Sequence, residues 1–307
     1  MSAKDFHPDL RRYARIVPRT LVTRRSLGTM RLLYSLHGPR ADKGIEVVNV
    51  SDTASVRVFK PMTERGTTRA LLWIHGGGYV MGTARNHDSL CQRFATRLGI
   101  TVASVEYRLA PENPYPAALD DCYAALHWLA AQATVDRNRI AIGGASAGGG
   151  LAAALAFAVR DRGDLTPRLQ MLSYPMLDDR TVPDPKVEHL YRGWSMRSNT
   201  FAWAAYLADA NPELAVPARR IDLSGLPPAW IGVGTNDLFH AEDIAYAKRL
   251  NAQGVRCDVQ VVPGAFHGFD SLATKSSVAR AFFESQCQAL TRALSSASPS
   301  PSRPGQP

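Results

Sequence analysis

Residues 139–161, RIAIGGASAGGGLAAALAFAVRD, contain one serine, Ser146, among five glycines. Residues 139–143 form a short apolar run that is typical of a buried strand. The residues after the serine form a longer Ala/Leu-rich run that is typical of a buried helix. Ser146 therefore lies at a junction, with Gly144 two positions before it and Gly148 two positions after it. This is the G-x-S-x-G pattern of a nucleophile elbow.

The spacing of this pattern has a physical reason. A strand that turns sharply into a helix holds the corner residue in a strained backbone conformation, and the corner side chain then projects outward. Side chains two positions away would clash with the packed strand and helix, so glycine is needed on both sides. The first N–H groups of the helix also face any negative charge that develops above the serine. On its own, the pattern is equally compatible with a flexible Gly-rich turn before a core helix.

The composition is that of a globular protein, with 307 residues, 45% hydrophobic and 21% charged. This length accommodates one large α/β domain or two small ones. No apolar run reaches the roughly 20 residues that span a bilayer, and no secretory signal is evident. The four cysteines match neither a metal-ligand spacing nor a disulfide framework, so we expect a cytoplasmic protein without a bound metal. They are Cys91, Cys122, Cys257 and Cys287.

The formal net charge is +9, and basic residues are concentrated in residues 1–31. Such a segment fits an acidic lipid surface, a nucleic acid or a solvated helical face. We expect no nucleic-acid partner, because the chain has no basic stripe interleaved with aromatic residues. Apolar residues also recur between the arginines, which predicts a lid with one apolar and one charged side. At the other end, the Ser/Pro-rich residues 295–307 predict a disordered tail.

Strand-like and helix-like patterns alternate along most of the chain, which predicts an α/β fold with a mostly parallel sheet of about eight strands, covered by helices on both faces. The apolar runs typical of strands cover residues 45–50, 55–60, 69–75, 100–105, 139–143, 168–174, 229–234 and 255–262. Helical patterns lie between the third and fourth runs, after Ser146, and at residues 116–131, 241–252 and 276–294. Active residues of such sheets lie beyond the carboxyl ends of the strands.

Two segments interrupt the alternation. Residues 1–44 have helical patterns and precede the first strand, and residues 178–225 are too long for a simple crossover. The second segment contains the aromatic-rich stretch GWSMRSNTFAWAAYLAD, whose large rings require burial. We therefore predict a helical cap segment at 1–44 and an α/β domain at 45–294 with a cap insertion at about 178–225.

A second glycine cluster follows the third strand, in WIHGGGYVMG at residues 73–82. Gly76, Gly77 and Gly78 leave backbone N–H groups that no side chain blocks. Together with the N–H of Ala147, the residue after the serine, they predict an oxyanion hole. A phosphate-binding loop is the alternative, but the glycines lack the G-x-G-x-x-G spacing and the G-K-[ST] ending.

A serine hydroxyl needs a general base, and a histidine base needs an acid that orients it. His267 follows the last apolar strand, in VVPGAFHGFD, where a loop can bring its ring over the sheet. Asp237 is the first carboxylate after the preceding strand, in the expected order between serine and histidine. Glu242 and Asp243 are rivals but fit a charge role at a helix N-terminus. Weaker candidates lie in or beside the insertion: Asp178, Asp179 and Asp222.

These motifs together resemble the hormone-sensitive-lipase-like family of α/β-hydrolases, in its HGGG-bearing branch of bacterial carboxylesterases. The resemblance covers residues from about 5 to 294. It rests on HGGG at 75–78, EYRLAPENPYPAALDD at 106–121, GASAGG at 144–149, YPMLDDR at 174–180, DLFHAEDIAYAKRL at 237–250 and PGAFHGFD at 263–270.

The resemblance implies specific roles. Ser146 is the nucleophile, His267 the base and Asp237 its orienting acid. Gly77, Gly78 and Ala147 donate to the oxyanion, while Gly76 shapes the loop. One departure is Ala145, since many members carry Asp or Thr directly before the nucleophile.

The predicted function is that of a serine carboxylesterase that hydrolyses short- to medium-chain esters through an acyl-enzyme, without a cofactor, as a monomer or homodimer. An amidase or deacetylase that uses the same residues is an alternative. A non-catalytic receptor similar to the gibberellin receptors is another, although those receptors lack the histidine.

Overall fold

The computed structural model describes residues 5–36, 45–61 and 66–295. Within them, each of the eight predicted apolar runs overlaps a strand of one sheet. The strands are β1 Glu46–Asn49, β2 Ser55–Phe59, β3 Thr68–Ile74, β4 Thr101–Glu106, β5 Val135–Ala145, β6 Gln170–Ser173, β7 Ala229–Asn236 and β8 Cys257–Phe266.

The spatial order of the strands is β1-β2-β4-β3-β5-β6-β7-β8. β2 runs antiparallel to both of its neighbours, and all pairs from β4 to β8 are parallel. The predicted mostly parallel sheet is thus confirmed. Its antiparallel edge is a hairpin, because only five residues separate β1 from β2.

Helices cover both faces of the sheet, as predicted. The helices of the described residues are α1 Arg11–Ile16, α2 Leu27–Leu36, α3 Asp88–Leu98, α4 Ala117–Ala130, α5 Ala147–Arg162, α6 Met196–Leu207, α7 Pro212–Ala215, α8 His240–Ala252, α9 Phe269–Leu272 and α10 Ser277–Ser295. Alternate residues of each strand point to opposite faces. In β3, Leu71 and Trp73 join the core under α3 and α10, whereas Leu72 and Ile74 join the core under α4, α5 and α8.

Both segments that interrupt the alternation contain helices. The first holds α1 and α2, joined by an extended stretch, and the second holds α6 and α7. Trp194, Trp203 and Tyr206 are buried, as their size predicts, while Phe201 is half-buried. The predicted tail lies outside the described residues, except for Ser295, which ends α10. Of the helices in the described ranges, none is long and apolar enough to cross a membrane.

Candidate active site

Ser146 occupies the corner between the end of β5 and the start of α5. Its φ of 57° and ψ of −121° lie in the strained region that a nucleophile elbow requires. A Cβ on Gly144 would lie 2.3 Å from the carbonyl oxygen of Gly148. A Cβ on Gly148 would lie 2.1 Å from the carbonyl oxygen of Ile74. Only glycine therefore allows the strand, the helix and the neighbouring strand to meet at this corner.

The structure brings Ser146 together with His267 and Asp237 at the carboxyl edge of the sheet. Nε2 of His267 lies 2.9 Å from Oγ of Ser146, and Nδ1 lies 2.9 Å from Oδ2 of Asp237. The other carboxylate oxygen of Asp237 accepts a hydrogen bond from the N–H of Phe239 at 3.0 Å. All three side chains are buried. This geometry allows a proton to pass from the serine to an imidazole whose other nitrogen is held by a carboxylate.

The rival acids Glu242 and Asp243 do not reach His267. They lie in the first turn of α8, as expected, but both are buried, so a charge role at a solvated helix end does not describe them. The Glu242 carboxylate accepts from the N–H groups of Leu177 at 2.6 Å and Asp178 at 3.2 Å. Neither oxygen of Asp243 has a partner among the described residues. Burial raises the pKa of both carboxyl groups.

The three weaker acidic candidates also make other contacts. Each forms a salt bridge with an arginine: Asp178 with Arg180, Asp179 with Arg219, and Asp222 with Arg160. The geometry therefore favours Asp237 over each of the alternatives that the sequence leaves open.

The HGGG loop passes directly beside the serine. A Cβ on Gly76 would lie 2.8 Å from the carbonyl oxygen of Ala145 and 3.3 Å from Cβ of Ser146. Gly77 and Gly78 have φ values of 124° and 62°, which favour glycine. In the described part of the chain, no hydrogen bond engages their N–H groups. Ala147 is the first residue of α5, where N–H groups have no partner within the helix.

His75, the first residue of HGGG, makes structural contacts. Its ring stacks on Tyr107 with centroids 4.1 Å apart, and its Nδ1 lies 2.8 Å from the carbonyl oxygen of Gly76. Burial lowers its pKa to about 3, so the ring is neutral at pH 7 and donates through Nδ1. This hydrogen bond holds the start of the glycine loop.

Three aromatic side chains around His267 are absent from the sequence-based site. Tyr174 and Phe239 meet its ring edge-on at 4.9 Å and 5.2 Å, and Trp194 lies 6.2 Å away. Tyr174 has a φ of 38° and is part of the motif YPMLDDR, so that motif was the available signal. Trp194 also covers Gly78, where a Cβ would lie 2.2 Å from Cη2 of the indole.

Above Ser146 lies a cavity of about 370 Å³, here named the ester cavity. Val17, Leu21 and Tyr34 of the N-terminal segment line it, together with Trp194 of the insertion. Both interrupting segments therefore contribute walls to the same space. Among the described residues, no group of three His, Cys, Asp or Glu side chains could hold a metal ion.

A family model described as alpha/beta hydrolase fold matches residues 71–271. The chain belongs to this alpha/beta-hydrolase family. The predicted resemblance to its hormone-sensitive-lipase-like branch is confirmed by relatives at about 35% identity. An "ethyl acetate hydrolase" of Pseudomonas putida is 36% identical over 233 residues, which cover 71% of each chain. "Carboxylesterase NlhH" of Mycobacterium tuberculosis is 34% identical over 249 residues, 78% of each chain.

Solved structures give the same result for the fold of this hydrolase. The structure of "Bacterial Heroin Esterase" superposes with a TM-score of 0.85 at 32% identity, covering 96% of this chain and 99% of that chain. The similarity therefore includes both interrupting segments as well as the sheet. The prediction of an α/β-hydrolase fold is confirmed.

Proposed function

We propose that this hydrolase is a serine carboxylesterase that works through an acyl-enzyme. The observation that carries the proposal is the pair of 2.9 Å contacts that link Ser146 to His267 and His267 to Asp237. The coarser statement, a hydrolase that acts on carboxylic esters, has the support of relatives named ethyl acetate hydrolase and carboxylesterase.

The first half of the reaction follows from these contacts. Oγ of Ser146 attacks the ester carbonyl while Nε2 of His267 takes its proton. Asp237 keeps the proton of the neutral ring on Nδ1 and stabilises the imidazolium that forms. The negative charge on the carbonyl oxygen develops opposite the N–H groups of Gly77 and Ala147, with Gly78 as the third donor.

The second half returns the site to its starting state. Nε2 of His267 gives its proton to the leaving alcohol, and the acyl group remains on Ser146. Water then attacks the acyl carbonyl while Nε2 of His267 takes a proton from it. The bond from the acyl carbon to Oγ of Ser146 breaks, Nε2 returns the proton to Oγ, and the carboxylic acid leaves.

The dimensions of the ester cavity support short- to medium-chain substrates. Its volume of about 370 Å³ lies near the lower end of the roughly 300–1,000 Å³ of small-molecule sites. Apolar walls from Val17, Leu21 and Trp194 suit an alkyl chain. We therefore expect turnover to decline once the acyl chain exceeds this space.

We assign the role of a cap to residues 5–36 and to the insertion at about 178–225. Arg31 connects the first segment to the body of the protein, since it donates to the carbonyl oxygens of Val80 at 2.7 Å and Ala110 at 2.8 Å. It also forms a bidentate ion pair with Glu112, in which both N–O distances are 2.8 Å. These contacts hold α2 beside the ester cavity, so the cap would set chain-length preference.

Location and partners are further parts of the proposal. We propose a cytoplasmic enzyme without a nucleic-acid partner, supported by four cysteines that are all free and buried. The monomer-or-homodimer prediction is tested by light scattering on the purified chain.

The experiment combines substrate comparison with removal of the nucleophile. Purified protein is assayed with p-nitrophenyl acetate, butyrate, hexanoate and decanoate, and with the matching anilides. Ser146→Ala should lower ester turnover by about 10⁶-fold while the melting temperature changes little. A phosphonate should label Ser146 stoichiometrically. Labelling of another serine would contradict the assignment, and faster cleavage of anilides than of esters would favour an amidase.

A further inference from the structure

A second cavity of about 490 Å³, here named the side cavity, adjoins the ester cavity. Ala145 and Tyr174 line both spaces. Ala145 directly precedes the nucleophile, and its side chain is only a methyl group. The two cavities therefore share part of their walls next to the nucleophile.

The side cavity is rich in positive charge. Arg93, Lys275 and Arg280 line it, and within residues 5–36, 45–61 and 66–295 no salt bridge joins any of them to an acidic side chain. The guanidinium of Arg93 lies 3.8 Å from the ring centre of Phe283, which keeps it at the wall. Arg93 is half-buried and Lys275 and Arg280 are exposed, so all three charges are open to solvent as well as to the cavity. Cations without an acidic partner at such a cavity favour an anionic ligand.

One acidic side chain, Asp270, is also part of the lining. It is directed to Tyr174, whose hydroxyl donates to it at 2.7 Å. Burial raises the pKa of this carboxyl group, so its charged form is disfavoured. The hydrogen bond from Tyr174 occupies one of the two carboxylate oxygens, and the three cations outnumber this single acid.

Neutral hydrogen-bond donors complete the lining. The indole N–H of Trp73 donates to Nδ1 of His87 at 3.0 Å, so the ring proton of a neutral His87 is on Nε2. Burial lowers the pKa of His87 to about 4, so the ring is neutral at pH 7. His87 lines both cavities.

Gln286 supplies a further polar group. It is 1% exposed, and one end of its amide lies 2.8 Å from Oγ of Ser173. The other end has no partner among the described residues. Because a hydroxyl can donate or accept, either the NH₂ group or the oxygen of the amide can be paired with Ser173. Its side chain is part of the lining of the side cavity, although the unpartnered amide atom is itself closed off from solvent.

We propose that the side cavity binds a carboxylate at the far end of the acyl chain, so that half-esters of dicarboxylic acids are preferred substrates. This inference rests on the proposed serine esterase mechanism. The anionic end belongs to the acyl part rather than to the alcohol, because Ser146 carries the acyl group and its neighbour Ala145 lines the side cavity. Arg93, Lys275 and Arg280 supply the charge that recognises it.

The test compares two esters with the same six-carbon acyl chain. p-Nitrophenyl hexanoate ends in a methyl group, and mono-p-nitrophenyl adipate ends in a carboxylate. We expect kcat/KM to be about tenfold higher for the adipate, from the gain of charge-assisted hydrogen bonds. In the double variant Lys275→Gln/Arg280→Gln, the ratio of the two values should fall to about 1. A wild-type ratio at or below 1 would overturn the inference.

A matched control separates local recognition from overall charge. The double variant Arg137→Gln/Lys248→Gln removes the same charge from exposed positions that line neither cavity. It should keep at least about half of the wild-type preference, because solvent and salt screen distant charges. An equal loss of preference in this control would show that the net charge is responsible and would overturn the inference.

A binding measurement tests the side cavity independently of the proposed esterase activity. Calorimetry measures the binding of monomethyl adipate to two inactive proteins. The first is Ser146→Ala, and the second is Ser146→Ala/Lys275→Gln/Arg280→Gln. Binding that weakens about tenfold in the second protein supports the side cavity even if neither nitrophenyl ester is hydrolysed. Equal or absent binding overturns the inference, whereas hydrolysis of hexanoate alone leaves the esterase proposal intact.

Discussion

Replacement of Asp237 with asparagine tests how the acid controls the histidine. In the structure, one carboxylate oxygen faces Nδ1 of His267 at 2.9 Å, and the other accepts from the N–H of Phe239 at 3.0 Å. Asparagine has one oxygen and one NH₂ group, so it can accept from only one of these two donors. The variant must therefore give up one of the two hydrogen bonds.

The two orientations of the amide differ in consequence. If the oxygen stays on the Phe239 N–H, the NH₂ group faces Nδ1 and moves the ring proton of His267 to Nε2. That form cannot accept the proton of Ser146. The opposite orientation leaves a buried N–H unpaired, at a cost of about 1–3 kcal/mol, so between about one molecule in six and one in 160 stays competent. The lost stabilisation of the imidazolium lowers turnover further, and we expect the two effects together to reduce it by about 10⁴-fold.

The assay measures kcat and kcat/KM for p-nitrophenyl butyrate, with the melting temperature as a check on folding. A 10⁴-fold loss corresponds to about 5.4 kcal/mol of barrier. Glu242→Gln is the matched control, since it makes the same chemical change in a buried acid five positions away. Its amide oxygen can still accept from the N–H of Leu177, so we expect activity within about threefold of the wild type.

Two outcomes would refute this reasoning. Asp237→Asn could retain more than about a tenth of the wild-type kcat/KM, which would show that the carboxylate does not control the tautomer. Alternatively, Glu242→Gln could lose as much activity as Asp237→Asn without unfolding, and the choice of acid would then be wrong.

Three further predictions concern the oxyanion loop, the cap and a buried acid. Gly78→Ala should lower kcat about 10²- to 10³-fold, because its Cβ would lie 2.2 Å from an indole carbon and displace a donor N–H. Gly225→Ala, at a similar φ of 71° but with no neighbouring atom closer than 3.5 Å to the added Cβ, is its control, and an equal loss of kcat there would refute the role of Gly78. Arg31→Gln should change the ratio of kcat/KM for hexanoate to kcat/KM for acetate about fivefold, because the lost cap contacts contribute ~1 kcal/mol. Arg25→Gln, at an exposed position, is the control and should leave this ratio unchanged. An unchanged ratio in Arg31→Gln would contradict the role of the cap contacts. The pKa of Asp243 is raised by burial and by a neighbouring carboxyl group. The unfolded chain therefore loses this proton at a lower pH than the folded protein does, and the free energy of unfolding falls as pH rises above the pKa of an aspartate in the unfolded chain. Asp243→Asn should therefore show a smaller drop in melting temperature from about pH 5 to about pH 8 than the wild type, and an equal drop would contradict the reasoning.

Local sequence patterns were sufficient to predict most of the architecture. Each of the eight apolar runs overlaps a strand. For the central strands β3, β4, β6 and β7 the reason is that burial of a parallel sheet on both faces requires continuous apolar residues. The corner at Ser146 was also predictable, since the clash that excludes a side chain at Gly144 or Gly148 arises within a few residues of the turn. The pairing of His267 with Ser146 followed from the rule that active groups lie at the carboxyl edge of the sheet.

The tertiary structure decided what depends on contacts between distant segments. Asp237, Glu242 and Asp243 lie within seven residues of one another, and only the path of the loop shows which of them meets His267. Trp194 packs over Gly78, although the two residues are more than a hundred positions apart in the sequence. No local pattern encodes such a contact. The side cavity is likewise formed by side chains from separate elements. By itself, the sequence determined the order of the elements and the chemical groups available, because local sterics and burial act over a few residues. Which of those groups touch was decided by the packing of helices and loops around the sheet.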